Sequence, residues 1–314
     1  MIHIEDLCAE DDFPEKAKNL FVSDNSPTIY KIYRLFTGQI KLSCEDTLRT
    51  CNVQDNVIAA YYTSKSDSFI ETLSDYVIDV DDVDDVDDVD DVDDVDRPEM
   101  FSKYFDNQKL SFRNKTYFQE LFDEICSYQF AISKSNYVAA FIHEYRIIEY
   151  IAYACPLIYA VRSHDFYATF GHLQNFINNA GKGELGFFKK AIDKIFERDP
   201  IFSTTFDISL TGITNGNIKE SYSKVLSICL NSDWLGASST EEIFAIKFRN
   251  VGSALIELRN KIFHHSLNNP KNILASRLLD INHFMEIVTP TFFTWLGVIY
   301  LGVFKSILSF ETTN

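Results

Sequence analysis

Glycine and proline are scarce in this chain, at 11 and 7 among 314 residues. A many-turned β protein needs both at its reversals, so the shortage points to helices. Cysteine is also sparse and scattered. Cys8, Cys44, Cys51, Cys126, Cys155 and Cys229 form no C-x-x-C pair and share no metal-ligand spacing with histidine. They read as buried thiols of a reducing, cytoplasmic setting, with no metal and no cofactor expected. Met1 to Asp12 is acidic and lacks the apolar core of a secretory leader. The apolar run Trp295 to Phe304 is broken by Lys305 and is short for a membrane crossing. It is expected to be a core helix rather than a tail anchor. Also missing are G-x-S-x-G, G-x-G-x-x-G after a strand, H-E-x-x-H and the kinase signatures. Gly181-Lys182-Gly183 is too short to cradle a phosphate, and no Ser or Thr follows its lysine. It reads as a turn.

Basic charge is in short supply too, but its shortage is mostly local. The formal net charge is −17, yet Asp79 to Asp96 alone holds 12 aspartates and no basic residue, leaving −5 elsewhere (−17 less those 12). Any RNA site must therefore be a small basic patch rather than a basic surface. Residues 79–96 repeat Val-Asp-Asp. Valine at every third position makes neither a helical stripe nor a strand alternation, so the segment reads as a solvated acidic linker. The sharper alternatives are a Ca²⁺ site and a polyanion that mimics nucleic acid. The repeat lacks the glycine and closing glutamate of an EF-hand loop.

The linker divides the chain into an N-terminal lobe, 1–78, and a helical region, 97–314. In the lobe, Ile29 to Phe36 is a helix or strand, and Val57 to Tyr62 is another apolar cluster. Beyond the linker the patterns are long and helical. Tyr117 to Phe130 is amphipathic, with Phe118, Leu121, Phe122, Ile125 and Phe130 on the apolar side. Tyr137 to Tyr159 is the most hydrophobic of the early helices, and Pro156 is expected to kink or end it. His164 to Asn179 and Gly186 to Arg198 make two more. Pro200 to Ile213 has β-type composition and runs into a Thr214-Asn215-Gly216 turn, which suits a hairpin or an irregular insertion. Ile218 to Leu230 is helical. Ser239-Thr240-Glu241-Glu242 carries the hydroxyl and first-turn acids of a helix start. Asn272 to Val288 and Thr291 to Phe310 close the chain as two helices separated by Pro290. The expected architecture is mainly all-α, an antiparallel bundle with short connections.

One stretch concentrates chemistry: Leu255 to Ser266, L-I-E-L-R-N-K-I-F-H-H-S. Leu255, Ile256, Leu258, Ile262 and Phe263 recur at helical spacing, so Arg259, Asn260, Lys261 and His264 share the polar side. Asn268-Asn269-Pro270 ends the helix soon after. Histidines in a last helical turn meet unpaired carbonyls that favour the imidazolium. Arginine offers two parallel hydrogen bonds to phosphate oxygens, and histidine can exchange a proton near neutral pH. The bare spacing is weak, since Arg277 to His283 satisfies it as well. Arg113 and Arg249 also precede asparagines, without a following histidine at that distance. A second polar cluster is His143-Glu144-Tyr145-Arg146-Ile147-Ile148-Glu149-Tyr150. Arg146 and Glu149 share a helical face. They suit an internal ion pair, or else a pair aimed at Arg259 to help hold a phosphate.

The arrangement R-N-x-x-x-H-H at the end of an amphipathic helix resembles the R-N-x-x-x-H signature of the HEPN superfamily, helical domains of many prokaryotic RNA-cleaving toxins and antiviral effectors. The Y-R-x-x-E-Y helix from Tyr145 to Tyr150 resembles an early helix of such bundles. The resemblance implies a HEPN-like bundle and a metal-independent endoribonuclease that leaves a 2′,3′-cyclic phosphate. It implies Arg259 as the phosphate cation, Asn260 as the orienting residue and His264 as the proton-transfer residue, with His265 the alternative. Lys261, Arg146 and Glu149 become substrate-binding candidates. The partners it implies are RNA (tRNA or mRNA), a second copy of the chain, and an antitoxin or phage-derived trigger, with no membrane. The rival reading is a non-catalytic bundle that binds a protein or nucleotide. A third is a Ca²⁺-responsive protein acting through the aspartate repeat.

Overall fold

The computed structural model describes residues 2–6, 26–36, 40–44, 47–51, 113–162, 166–180, 186–197, 200–263 and 278–312. The Val-Asp-Asp repeat, the cluster Val57 to Tyr62 and both His264 and His265 lie outside the described residues. The chain divides into two compact units, residues 1–126 with 300–314, and residues 127–299. Eight helices dominate the described residues, so the chain is mainly α as composition required. Two small antiparallel sheets accompany them.

In the first unit, β1 (Ile2–Asp6), β2 (Ile40–Cys44) and β3 (Thr47–Cys51) form an antiparallel sheet in that order. Helix α1 (Thr28–Phe36) settles the ambiguity of its segment in favour of a helix. Its side chains from Ile29 to Phe36 are all buried. Tyr33 packs on Phe304 with ring centroids 4.9 Å apart, and the Tyr300 hydroxyl donates to the Ile29 carbonyl at 2.7 Å. Helix α2 (Lys115–Ser133) begins in this unit with Phe118, Leu121, Phe122 and Ile125 buried. Phe130, expected on the same apolar side, is instead 42% exposed, and Lys134 stands over its ring.

The second unit is built around α3 (Tyr137–Arg162), α4 (Phe166–Ala180), α5 (Gly186–Ile195), α6 (Gly216–Cys229), α7 (Phe248–Ile262) and the first part of α8 (Ile281–Thr312). Helix α5 packs on α3, α4 and α7, and α7 also packs on α3 and α6. Strands β4 (Thr205–Ser209) and β5 (Ile243–Lys247) pair antiparallel, Thr205 against Lys247 through Ser209 against Ile243, and lie beside α7. The core is aromatic. Trp295 is 1% exposed, donates its indole N–H to the Phe248 carbonyl at 3.0 Å, and meets the rings of Phe188 and Phe248. Gly252 makes room for it. A Cβ there would lie 2.8 Å from the Trp295 ring, so the close approach of α7 to α8 depends on the missing side chain.

Several expectations are corrected. Ser239 to Glu242 do not start a helix. The Thr240 hydroxyl accepts from the Glu242 and Ile243 N–H groups in a tight turn, and Ile243 to Lys247 continues as β5. The same hydroxyl chemistry that caps helices also closes turns. Consecutive burial of Phe244, Ala245 and Ile246 favours the strand. The helix proper starts at Phe248. Asn215 forms no hairpin with Thr214 and Gly216; its side chain caps α6, accepting from the Asn217 and Ile218 N–H groups at 3.0 and 3.4 Å. Pro156 does not end α3, which continues to Arg162. Pro290 does not separate two helices, because α8 runs through it. Threonine hydroxyls flank that proline, Thr289 donating to Met285 O and Thr294 to Pro290 O. The apolar stretch is also longer than the run from Trp295. Ile281 to Phe304 is long and apolar enough to cross a membrane, with mean hydropathy 1.7, and 78% of that window is buried inside the fold.

Candidate functional site

Helix α7 ends at Ile262, with Phe263 capping it through its N–H to the Arg259 carbonyl at 2.9 Å, and the Asn268-Asn269-Pro270 expected to end it lies outside the described residues. The Phe263 ring stacks on Phe141 of α3, 5.7 Å between centroids, which fixes this end of α7 against α3. Arg259 is half-buried there. Its guanidinium carbon lies 4.7 Å from the centroid of the Tyr145 ring, and its Nη1 donates to Asn260 Oδ1 at 3.1 Å. The aromatic face attracts the cation, and the neighbouring amide orients its fork. Among the described residues no carboxylate forms an ion pair with Arg259. Asn260 is exposed beside it.

Lys261 is placed differently from its neighbours. It is 7% exposed, and its ammonium is 2.9 Å from Glu257 Oε1 and donates to the Ile228 carbonyl of α6. The Ile228 contact ties α7 to α6, and the Glu257 pair lies within α7. On α3, the residue meeting Arg259 is Tyr145, while Arg146 is exposed and Glu149 half-buried one turn further on. Tyr145 stands inside the Y-R-x-x-E-Y pattern, but tyrosine in a hydrophobic helix looks like any core aromatic, so nothing in the sequence marked it as the arginine's platform.

Next to Tyr145 lies a buried acid that sequence reading also passed over. Glu144 is fully buried, and among the described residues neither carboxylate oxygen has a partner in hydrogen-bonding geometry. Burial pushes its pKa well above the usual carboxylate range, only partly opposed by the Phe293 backbone and the Tyr128 hydroxyl nearby. Tyr128 is raised in turn, by burial and then by Glu144. A protonated Glu144 is therefore the form that suits this interior. Cys229 of α6 is buried, which lifts its thiol to about 12 despite nearby Lys261. That excludes it as a thiolate nucleophile at neutral pH.

The other end of α7 holds a second cationic cluster. Arg249 Nη2 is 2.9 Å from Asp193 Oδ2 on α5, and its guanidinium lies 5.4 Å from the Phe202 ring. Lys189 donates to Asn250 Oδ1 at 2.9 Å. Burial, with Arg249 and Lys190 nearby, lowers the Lys189 pKa against the pull of Asp193. A cleft of about 20 Å³ beside these groups is lined by Phe188, Lys189, Arg249, Gly252, Ser253 and Trp295. That is room for about one water molecule. Among the described residues, no group of three His, Cys, Asp or Glu side chains could hold a metal ion. His283, the histidine of the competing Arg277 spacing, sits by the Tyr222 hydroxyl at 3.1 Å. No family model, characterised protein or solved structure matches this chain.

Proposed function

We propose that this chain is a HEPN-like, metal-independent endoribonuclease, acting as a toxin or antiphage defence effector on RNA. The observation that carries the reading is Arg259, held by an aromatic face and an amide with no ion-paired carboxylate among the described residues, five and six positions before two histidines in the sequence. A guanidinium fixed in this way is prepared to meet a phosphate. In the proposed reaction a histidine removes the proton of the ribose 2′-hydroxyl, and that oxygen attacks the adjacent phosphorus. Arg259 stabilises the negative charge on the equatorial oxygens. The bond to the 5′-oxygen breaks as that oxygen gains a proton, leaving a 2′,3′-cyclic phosphate. His264 is the proposed proton-transfer residue, four positions after Asn260, and His265 is its alternative. Asn260 orients the guanidinium. One copy supplies one arginine with its histidines, so two copies are proposed to complete the acid–base pair.

The test is cleavage of total RNA and of tRNA by purified protein in EDTA, beside Arg259→Ala and His264→Ala variants of unchanged melting temperature. Loss of cleavage in both supports the reading. Cleavage that survives Arg259→Ala contradicts it. Nucleotide or protein binding that depends on Arg259, in a protein that cuts nothing and is not toxic to cells, turns the assignment to a regulatory binding module.

A further inference from the structure

Each end of α7 has a cation that an asparagine amide holds without neutralising it. Arg259 is bonded to Asn260, and Lys189 of α5 donates to Asn250 Oδ1 at 2.9 Å. The acids of α5 are already engaged. Asp193 pairs with Arg249 and Glu197 with Lys194, so among the described residues no carboxylate pairs with Lys189 or with the exposed Lys190 beside it. Burial lowers the Lys189 pKa, Asp193 opposes the shift, and the like charges of Arg249 and Lys190 add to it. An arriving anion offsets that cost, so this amine gains more from a phosphate than a fully solvated lysine does. One open stripe joins the two ends. At 100° per residue, Arg249, Ser253, Ile256 and Asn260 fall within about 60° of each other around α7. They are exposed or half-buried, and the cleft between α5 and α7 includes Lys189, Ser253 and Ile256 in its lining. Glu257, on the neighbouring side, is taken by Lys261.

We propose that this stripe is the track of an RNA strand, with Lys189 and Lys190 binding a backbone phosphate a few nucleotides away from the one held by Arg259. The inference rests on the RNA reading above and names a second contact for its substrate. From Asn250 to Asn260 the helix rises about 15 Å, the length of roughly four stacked nucleotides and fewer extended ones. Cations set apart on one stripe suit a ligand with phosphates at intervals, which a free phosphate is not. Lysine meets such a phosphate as a point charge with mobile donors, a contact that positions a strand without reading its bases. Ser253 and Ile256 between the two cations offer a hydroxyl and an apolar surface to the nucleotides that cross them. Arg249 keeps its place in the clasp, since its guanidinium lies on Asp193 and the Phe202 ring.

Binding of 2′-O-methyl oligonucleotides, whose nucleophile is blocked, separates this track from cleavage. Fluorescence anisotropy with the full chain is expected to show a hexanucleotide bound at least about tenfold more tightly than a dinucleotide. Lys189→Gln combined with Lys190→Gln, at unchanged melting temperature, is expected to remove that gain and to lower the salt slope by about one to two. Lys190→Glu alone changes an exposed position and serves if the double variant folds poorly; it is expected to weaken hexanucleotide binding at least about fivefold. Equal affinity of wild type for the two lengths would overturn the proposal. So would a length gain and a salt slope that these substitutions leave unmoved. Lysine-dependent hexanucleotide binding by a protein that cuts no RNA would remove the catalytic assignment and leave the track standing.

Discussion

Helix α7 carries the dipeptide Arg-Asn at both ends, and the two copies have different surroundings. Arg249 is paired with Asp193, and its Asn250 accepts from Lys189, so the arginine's charge there is answered within the fold. Arg259 instead rests on Tyr145 and its own Asn260, without a paired carboxylate among the described residues. The same two residue types thus make a structural clasp at one end and an open cation at the other. The difference lies in what the neighbouring helices present: an aspartate from α5 in one case and an aromatic ring from α3 in the other.

The largest expected effect comes from breaking the open end. Arg259→Ala should lower RNA cleavage by about 10²–10⁴-fold while changing stability by less than about 0.5 kcal/mol. Arg259→Lys should recover little, because a point charge does not reproduce the planar fork. Between the two ends, Gly252→Val drives a branched side chain into Trp295 and should cost about 2–3 kcal/mol in denaturant unfolding. Lys261→Met removes the tie from α7 to Ile228 of α6, together with the ion pair to Glu257 within α7, and should cost about 1–2 kcal/mol. An unchanged melting temperature with weaker RNA binding would instead make Lys261 a substrate contact, as its sequence position suggested.

Glu144 gives a pH-dependent comparison beneath the open end. Its folded pKa is raised above the ordinary 4.5, so the native state holds the proton more tightly than the unfolded chain. Its contribution to stability is full below about pH 4.5 and declines as pH rises above that value. Glu144→Gln keeps the neutral form at every pH. The variant should therefore match wild type in acid and exceed it by about 1 kcal/mol near neutrality in pH-dependent unfolding. The smallest effect belongs to the clasp. Arg249→Ala should leave cleavage within a few-fold and cost at most about 1 kcal/mol, since the arginine side chain is 45% exposed.

Helix existence was legible wherever apolar residues recurred over several turns, as in α2, α3 and α7. The ends of elements were less so, because one local signal serves two purposes. Thr240 and Asn215 both bond backbone N–H groups two and three residues on, one before a strand and the other before a helix. Proline suggests a kink or an end at 156 and a separation of two helices at 290, yet both residues lie inside long helices whose packing outweighs one lost hydrogen bond. Arg259 and Asn260 could be picked out from the sequence, but their polar neighbour Lys261 turns inward, since a helical pattern does not say which long side chain finds a carbonyl. Tyr145 and Glu144 were hidden for the opposite reason. Their roles depend on what lies across from α3, and no spacing within α3 encodes it.

The most direct measurement sets the two arginines side by side. Wild type, Arg249→Ala and Arg259→Ala would be incubated with tRNA and total RNA in EDTA, with cyclic-phosphate ends scored and folding checked by melting. The account predicts cleavage by wild type and by Arg249→Ala, and its loss in Arg259→Ala alone. Equal cleavage by all three, or a loss that follows Arg249 rather than Arg259, would contradict it.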